Sequence, residues 1–225
     1  MLTVHHLENS RSQRILWLLE ELGVDYEIRR YERDKKSGLA PPELLAVHPL
    51  GKSPVVEDGD LVVAESGAIV EYLVNKFDDG RLLPAERTPG RLAYTYWLHY
   101  AEGTIMPLML VSLIMSRIEN APMPFFIKPI AKGIVAKVRG GYLGPNVNRN
   151  IDYMEASLAN STWLCGDELT AADIQMSFAV EAAEVRADLS ANYPNLEGFL
   201  KRMRARPAYL AALEKGGPYK LPGAG

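Results

Sequence analysis

Two short runs carry residue types suited to holding a small zwitterion. The first is Glu65-Ser66-Gly67-Ala68-Ile69, where a β-like run gives way to a helical pattern. Ser66 reads as an N-cap, so the amides of the next turn point outward and the helix dipole favours an anion there. A carboxylate would be held by the Ser66 hydroxyl and backbone N–H. Glu65 alongside would hold an ammonium group, and together they suit an α-amino-acid head group. Serine caps are common, and the plain reading of Ser66 is a cap without a ligand. The second run is Gly51-Lys52-Ser53-Pro54-Val55. A proline opening a strand removes a ladder donor, so it belongs at an edge or a special turn. Were the Ser53–Pro54 bond cis, the Ser53 backbone N–H and C=O would be free to pair with an extended ligand. The sequence leaves that isomer open.

The elements that must position these runs follow from hydrophobic spacing. Leu2 to Leu7 reads as a strand, and Ile15, Leu18, Leu19 and Leu22 fall at helical spacing, with Gly23 as the residue that ends the helix. Tyr26 to Tyr31 is a second strand and Pro41 to Val47 a short helix. Pro54 to Glu57 and Leu61 to Ala64 flank Asp58-Gly59-Asp60, a hairpin signal, and a helix bearing Ile69, Tyr72, Leu73 and Phe77 follows. The order β-α-β-α-β-β-α predicts an α/β domain over residues 1–77. Residues 78–90 (DDGRLLPAERTPG) have linker composition. Over 91–225 strand signals almost vanish, and helical patterns at Leu92 to Ile118, Phe125 to Val138, Asn146 to Ala159, Thr170 to Val185 and Leu196 to Arg204 predict an all-α bundle. Thr170 and Asp173 form a capping box, flanked by Leu169 and Ile174 at staple positions, which gives Asp173 a folding role. The tail from Gly216 to Gly225 is Gly/Pro-rich and reads as loosely held.

Composition narrows the chemistry. The 225 residues carry 25 Lys and Arg against 28 Asp and Glu, a net charge of −3. That balance argues against a nucleic-acid binder. The one cysteine, Cys165, allows no internal disulfide, no CxxC redox pair and no thiolate-rich metal site, and it reads as a buried structural thiol. His5, His6, His48 and His99 lack metal-ligand spacing, so no metal is expected. Met1 to Arg14 does not read as a signal peptide. The most apolar stretch, Ile105 to Met115, is interrupted by Pro107 and falls short of the roughly 20 residues that span a bilayer. A cytoplasmic location is the expectation.

Three separated segments resemble the soluble glutathione S-transferases, as a bacterial or fungal-like member with a serine/asparagine first loop. They are ENSRSQRILWLLEELGVDYE (Glu8 to Glu27), HPLGKSPVVEDGDLVVAESGAIVEYL (His48 to Leu73) and LCGDELTAADI (Leu164 to Ile174). The resemblance implies a thioredoxin-like domain followed by a helical domain, in a homodimer, with glutathione as co-substrate. It implies that Glu65 and Ser66 hold the γ-glutamyl end and that Ser53, before a cis Pro54, pairs through its backbone with the cysteinyl unit. Lys52 would approach the glycyl carboxylate and Arg11 would add positive charge near the thiol. The family places its catalytic hydroxyl or thiol after the first strand. That loop holds Asn9-Ser10-Arg11-Ser12 here, without Tyr or Cys. Ser10 is the first candidate, then Ser12, with Asn9 as a non-ionising donor. Ser12 also reads as a plain helix cap.

The implied reaction is attack of a glutathione thiolate on a small hydrophobic electrophile bound between the domains. Tyr96, His99, Tyr100, Gly103, Met106 and Pro107 are the acceptor-site candidates, Tyr96, Tyr100 and Met106 also reading as plain core and His99 as a structural histidine. The alternatives are a glutathione-dependent peroxidase or thiol–disulfide reductase, and a non-catalytic binding module on the same fold. In residues 125–139 (FFIKPIAKGIVAKVR) lysines interleave with apolar residues. Such a segment can make peripheral membrane contact. Its plainer reading is a helix, broken near Pro129, that packs beside the acceptor pocket.

Overall fold

β1 (Leu2–Leu7) is buried along its whole length, as an interior strand must be. The computed structural model describes residues 1–185 and 189–220. β1 pairs in parallel with β2 (Tyr26–Tyr31) and antiparallel with β3 (Val55–Asp58), and β3 pairs antiparallel with β4 (Leu61–Ala64). The sheet order is therefore β2-β1-β3-β4. The parallel pair requires a crossover, which α1 (Ser12–Leu22) supplies. The short α2 (Glu43–Val47) and α3 (Ser66–Phe77) complete the expected β-α-β-α-β-β-α order. Gly23 ends α1 at φ 66°, a left-handed conformation that a side chain would strain.

Residues 78–88 hold no helix or strand, but they are folded back: the Asp78 carboxylate accepts from the Leu82 and Leu83 amides, both at 3.0 Å. Thr88 then caps α4 (Pro89–Tyr100), its hydroxyl accepting from the Arg91 amide at 3.2 Å. The helical domain continues through α5 (Met106–Asn120), α6 (Lys128–Val138), α7 (Gly144–Ser157), α8 (Ala171–Glu184), α9 (Leu189–Asn192), α10 (Pro194–Arg204) and α11 (Pro207–Gly216). Sequence reasoning missed α11. Its Tyr209 packs edge-on against Trp17 of α1 with ring centroids 5.4 Å apart, while Arg206 and Lys215 pair with Glu21 and Glu20.

Two wide π-helical turns, Ala101–Ile105 and Arg139–Leu143, lie just before Pro107 and Pro145. A proline removes one helical donor and crowds the carbonyl four residues back. For both prolines that carbonyl lies in the wide turn, at Gly103 and Gly141, where the longer hydrogen-bond loop relieves the crowding. Pro107 thus bends the pattern without ending the helix. The helical run Pro89–Asn120 is 32 residues long and, by length and composition alone, could cross a membrane. Its inner face, including Tyr94, Trp97, Ala101, Ile105 and Met109, lies in the core of the helical domain. Pro129, likewise, sits in the first turn of α6 and does not break it. Phe125 and Phe126 are exposed, and of α6 itself only Val135 is buried; the helix packs on α5 but lines none of the cavity described below.

The two domains share their packing through α1. Ile15, Leu16, Trp17, Leu18 and Leu19 are all fully buried, because the sheet covers one side of the helix and α8 and α11 cover the other. At the start of α8, the fully buried Asp173 carboxylate accepts from the Thr170 amide (2.9 Å), the Thr170 hydroxyl (2.7 Å) and the Leu164 amide (2.8 Å). Burial still pushes its carboxyl up to about 6. Asp173 is a folding residue, as its spacing predicts.

Candidate active site

The Ser53–Pro54 peptide bond is cis. The Ser53 hydroxyl donates to the His5 carbonyl at 2.7 Å and accepts from the Leu7 amide at 3.1 Å, which pins the start of β3 to the end of β1. Among the described residues no hydrogen bond uses the Ser53 amide or carbonyl, so the backbone is left for a ligand. The side chain's tie to β1 was not foreseen. All six residues expected to hold glutathione (Arg11, Lys52, Ser53, Pro54, Glu65 and Ser66) line one cleft, joined by His48.

At the far wall of that cleft the expected roles shift by one residue. Glu65, not Ser66, occupies the position before α3, at φ 71° and ψ 124°. This conformation is rare for a residue with a side chain and costs about 1–3 kcal/mol. Ser66 is buried as the first helical residue. The first amides of α3 have no partner within the helix, and Ser66 at that end lines the cleft beside the exposed Glu65.

The first loop contains a chain of hydrogen bonds. Ser10 Oγ accepts from the Ser12 amide at 3.2 Å and lies 2.8 Å from Ser12 Oγ, which lies 2.8 Å from His6 Nδ1. His6 is buried in β1, and burial pushes its imidazole down to about 4, so the ring is neutral at pH 7. Ser12 Oγ also donates to the Leu7 carbonyl at 3.3 Å, so its proton is directed there or to His6 Nδ1. In the Ser10–Ser12 contact that leaves Ser10 as the donor. Asn9 is the reverse case. Its side-chain oxygen accepts from the Lys220 amide at 2.6 Å, which directs the amide NH2 away from that contact as a donor.

Asn9 and Ser10 line a second cavity, between the domains. Ser12 does not: it is fully buried behind them, so its candidacy as a direct sulfur contact fails on geometry. The other walls are Met106, Met109, Leu110 and Leu113 of α5 and Phe178 and Ala182 of α8. Of the six acceptor-site candidates only Met106 is present. Tyr96 and Tyr100 pack edge-on or tilted against Trp97 and Tyr153 in an aromatic cluster, while His99, Gly103 and Pro107 are exposed elsewhere. The reason is the π turn. One extra residue per turn rotates everything after Ile105 by roughly 100° relative to a regular helix. The stripe that starts at Tyr96 therefore does not continue into α5. The spacing of Met106, Met109, Leu110 and Leu113 is itself helical and could have signalled the wall; Phe178 and Arg33 carry no such signal.

Below the cavity, Arg14 is buried, donates to the Gln175 carbonyl at 2.5 Å and pairs with Glu102. Arg11 shares that carboxylate at 3.5 Å. Cys165 lies far from both clefts and is only partly buried; burial pushes its thiol up to about 12. No group of His, Cys, Asp and Glu among the described residues could hold a metal ion.

The comparisons with known proteins agree with this geometry. Residues 1–75 match the glutathione S-transferase N-terminal domain family and residues 142–207 the glutathione S-transferase C-terminal domain family. Glutathione S-transferase 3 of Schizosaccharomyces pombe is 38% identical over 216 residues, covering 96% of this chain and 88% of that protein. Glutathione S-transferase 1 of Saccharomyces cerevisiae is 34% identical over 223 residues, covering 96% and 95%. A solved glutathione S-transferase from Actinobacillus pleuropneumoniae superposes with a TM-score of 0.82 at 37% identity, over 96% of this chain and 93% of that one. On matched domains, near-full-length relatives and a shared fold, this chain belongs to the glutathione S-transferase family.

Proposed function

We propose that the protein is a glutathione S-transferase that lowers the thiol pKa of bound glutathione and directs the thiolate onto a small hydrophobic electrophile. One observation carries the reading: the cleft of Lys52, Ser53, Glu65 and Ser66 and the apolar cavity of α5 and α8 both reach the first loop, with Arg11 and Ser53 lining both. The γ-glutamyl carboxylate would sit on the first amides of α3 and its ammonium on Glu65. The cysteinyl unit would pair with the Ser53 backbone, and Lys52 would meet the glycyl carboxylate. In that pose the sulfur would lie at the first loop.

Asn9 is the residue this geometry favours as the donor to sulfur, with Ser10 behind it. A free thiol titrates near about 8.5. Hydrogen bonding to the thiolate and the N-terminus of α1 both favour the charged form. The thiol proton is lost to solvent. The thiolate then supplies the electron pair of a new carbon–sulfur bond, while the leaving group departs with the pair of the bond that breaks. The two sites supply orientation, and the protein forms no covalent bond itself.

A homodimer, a cytoplasmic location and a role in detoxification belong to the same proposal. Exposed Leu61, Val62 and Leu92 are consistent with a covered face in a dimer. The test is conjugation of glutathione to a chlorodinitrobenzene, followed by product absorbance. The proposal expects saturable, glutathione-dependent turnover; a rate equal to the protein-free control refutes it.

A further inference from the structure

Building on the transferase reading, we infer that the acceptor cavity is shaped for an electrophile that is apolar over most of its surface and carries one carboxylate or sulfonate, met by Arg33. Met106, Met109, Leu110, Leu113 and Phe178 make the cavity an apolar slot. Arg33 lines the same slot from the loop after β2. Its guanidinium donates from Nε to the Glu8 carbonyl (3.3 Å), from Nη1 to the Gly38 carbonyl (3.1 Å) and from Nη2 to the Asn9 carbonyl (3.4 Å). These three bonds fix the plane of the group and use three of its five N–H donors. One donor remains on each terminal nitrogen, available to the oxygens of a carboxylate or sulfonate.

No carboxylate accepts from the guanidinium among the described residues. The nearby Glu8 carboxylate accepts from the Arg33 backbone amide at 2.8 Å and is the stronger electrostatic neighbour of the guanidinium, partly offsetting its charge. Arg117 of α5 adds a second positive charge within electrostatic reach of Arg33. Arg11, on the same wall, shares the single carboxylate of Glu102 with Arg14. An anion in this partly enclosed, apolar-walled slot would meet a pre-oriented cation, where the attraction is less screened than in bulk water. Glutathione does not claim Arg33 by position: its cleft is lined by Lys52 and Arg11, and Arg33 is not among the residues there.

The experiment compares a chlorodinitrobenzene with the matching chlorodinitrobenzoate, each rate divided by its uncatalysed rate with free glutathione. Wild type, Arg33→Gln, Arg33→Lys and Arg117→Gln are assayed at saturating glutathione. Arg33→Gln should lower kcat/KM for the benzoate by about 10- to 100-fold, the loss of a hydrogen-bonded charge pair. Because Arg33 also holds the Asn9 carbonyl, the variant should slow both acceptors by a shared factor, and the readout is the benzoate-to-neutral ratio, which should fall by about 10-fold or more. Arg33→Lys should recover part of the preference, since charge remains and the two terminal donors do not. Arg117→Gln, which breaks no loop contact, should weaken the benzoate alone, as should added salt. Equal loss on both acceptors, or a raised KM for glutathione without any change in acceptor preference, overturns the inference. Wild type inactive on both acceptors would sink the transferase reading beneath it, a result distinct from lost discrimination.

Discussion

Replacing Asn9 by Ala should raise the pKa of the bound glutathione thiol by about 1–2 units. The magnitude follows from the loop's hydrogen bonds. Lys220 holds the Asn9 oxygen at 2.6 Å, so the Asn9 NH2 is the donor left for sulfur. A hydrogen bond to a charged group contributes about 1.5–3 kcal/mol, and one pKa unit corresponds to about 1.4 kcal/mol. Ser10→Ala should behave differently. With the Ser12 proton directed to Leu7 or His6, Ser10 donates inward to Ser12, so its removal should move the thiol pKa by well under one unit. It should instead cost about 1 kcal/mol of stability, because Ser10 Oγ caps the Ser12 amide at 3.2 Å. The assay is the ultraviolet absorbance of the thiolate in the enzyme–glutathione complex, followed against pH, with urea unfolding alongside. If Ser10→Ala raises the thiol pKa by one unit or more while Asn9→Ala leaves it unchanged, the reasoning is refuted. Ser10 would then be free to donate outward.

Three further outcomes follow. Glu102→Ala removes the only carboxylate paired with the buried Arg14 among the described residues, so unfolding by urea should show a loss of about 3–5 kcal/mol, and an unchanged midpoint contradicts the role given to that pair. Gly216→Ala places a methyl group 2.7 Å from Gln13 Oε1 and 2.8 Å from Leu16 Cδ1, both fully or nearly buried, and should cost about 1–3 kcal/mol by thermal melting. Cys165, its thiol held up at about 12 by burial, should carry almost no thiolate at pH 8, so native protein should react with iodoacetamide at least about a hundredfold more slowly than free glutathione. Labelling at the free-thiol rate would contradict it.

Most of the first domain was legible in its residues because local and tertiary signals agree there. The strand-like run Leu2 to Leu7, the glycine after Leu22 and the Asp58-Gly59-Asp60 turn each favour one local structure, and the fold uses it. The six residues that the resemblance implies would hold glutathione come together in one cleft. The acceptor wall was not legible. Its candidates came from a regular helical stripe, and the wide turn at Ala101–Ile105 rotates that stripe out of the cavity. Pro107 was the available signal: read as an interruption, it in fact marks a helix that carries on with a changed register. α11 was missed because its apolar face is short, and it gains stability from docking on α1 through Trp17, Glu20 and Glu21. The choice among Asn9, Ser10 and Ser12 depends on a contact between Asn9 and Lys220, 211 positions apart, and on His6 beneath them. No local pattern encodes either.

The central claim is that the cleft between Ser53 and the start of α3 binds glutathione, and calorimetric titration of the intact protein with glutathione tests it most directly. The account predicts saturable binding of one glutathione per chain and a melting temperature that rises with glutathione concentration. An absence of binding heat at every temperature tried, together with an unmoved melting temperature, would contradict it.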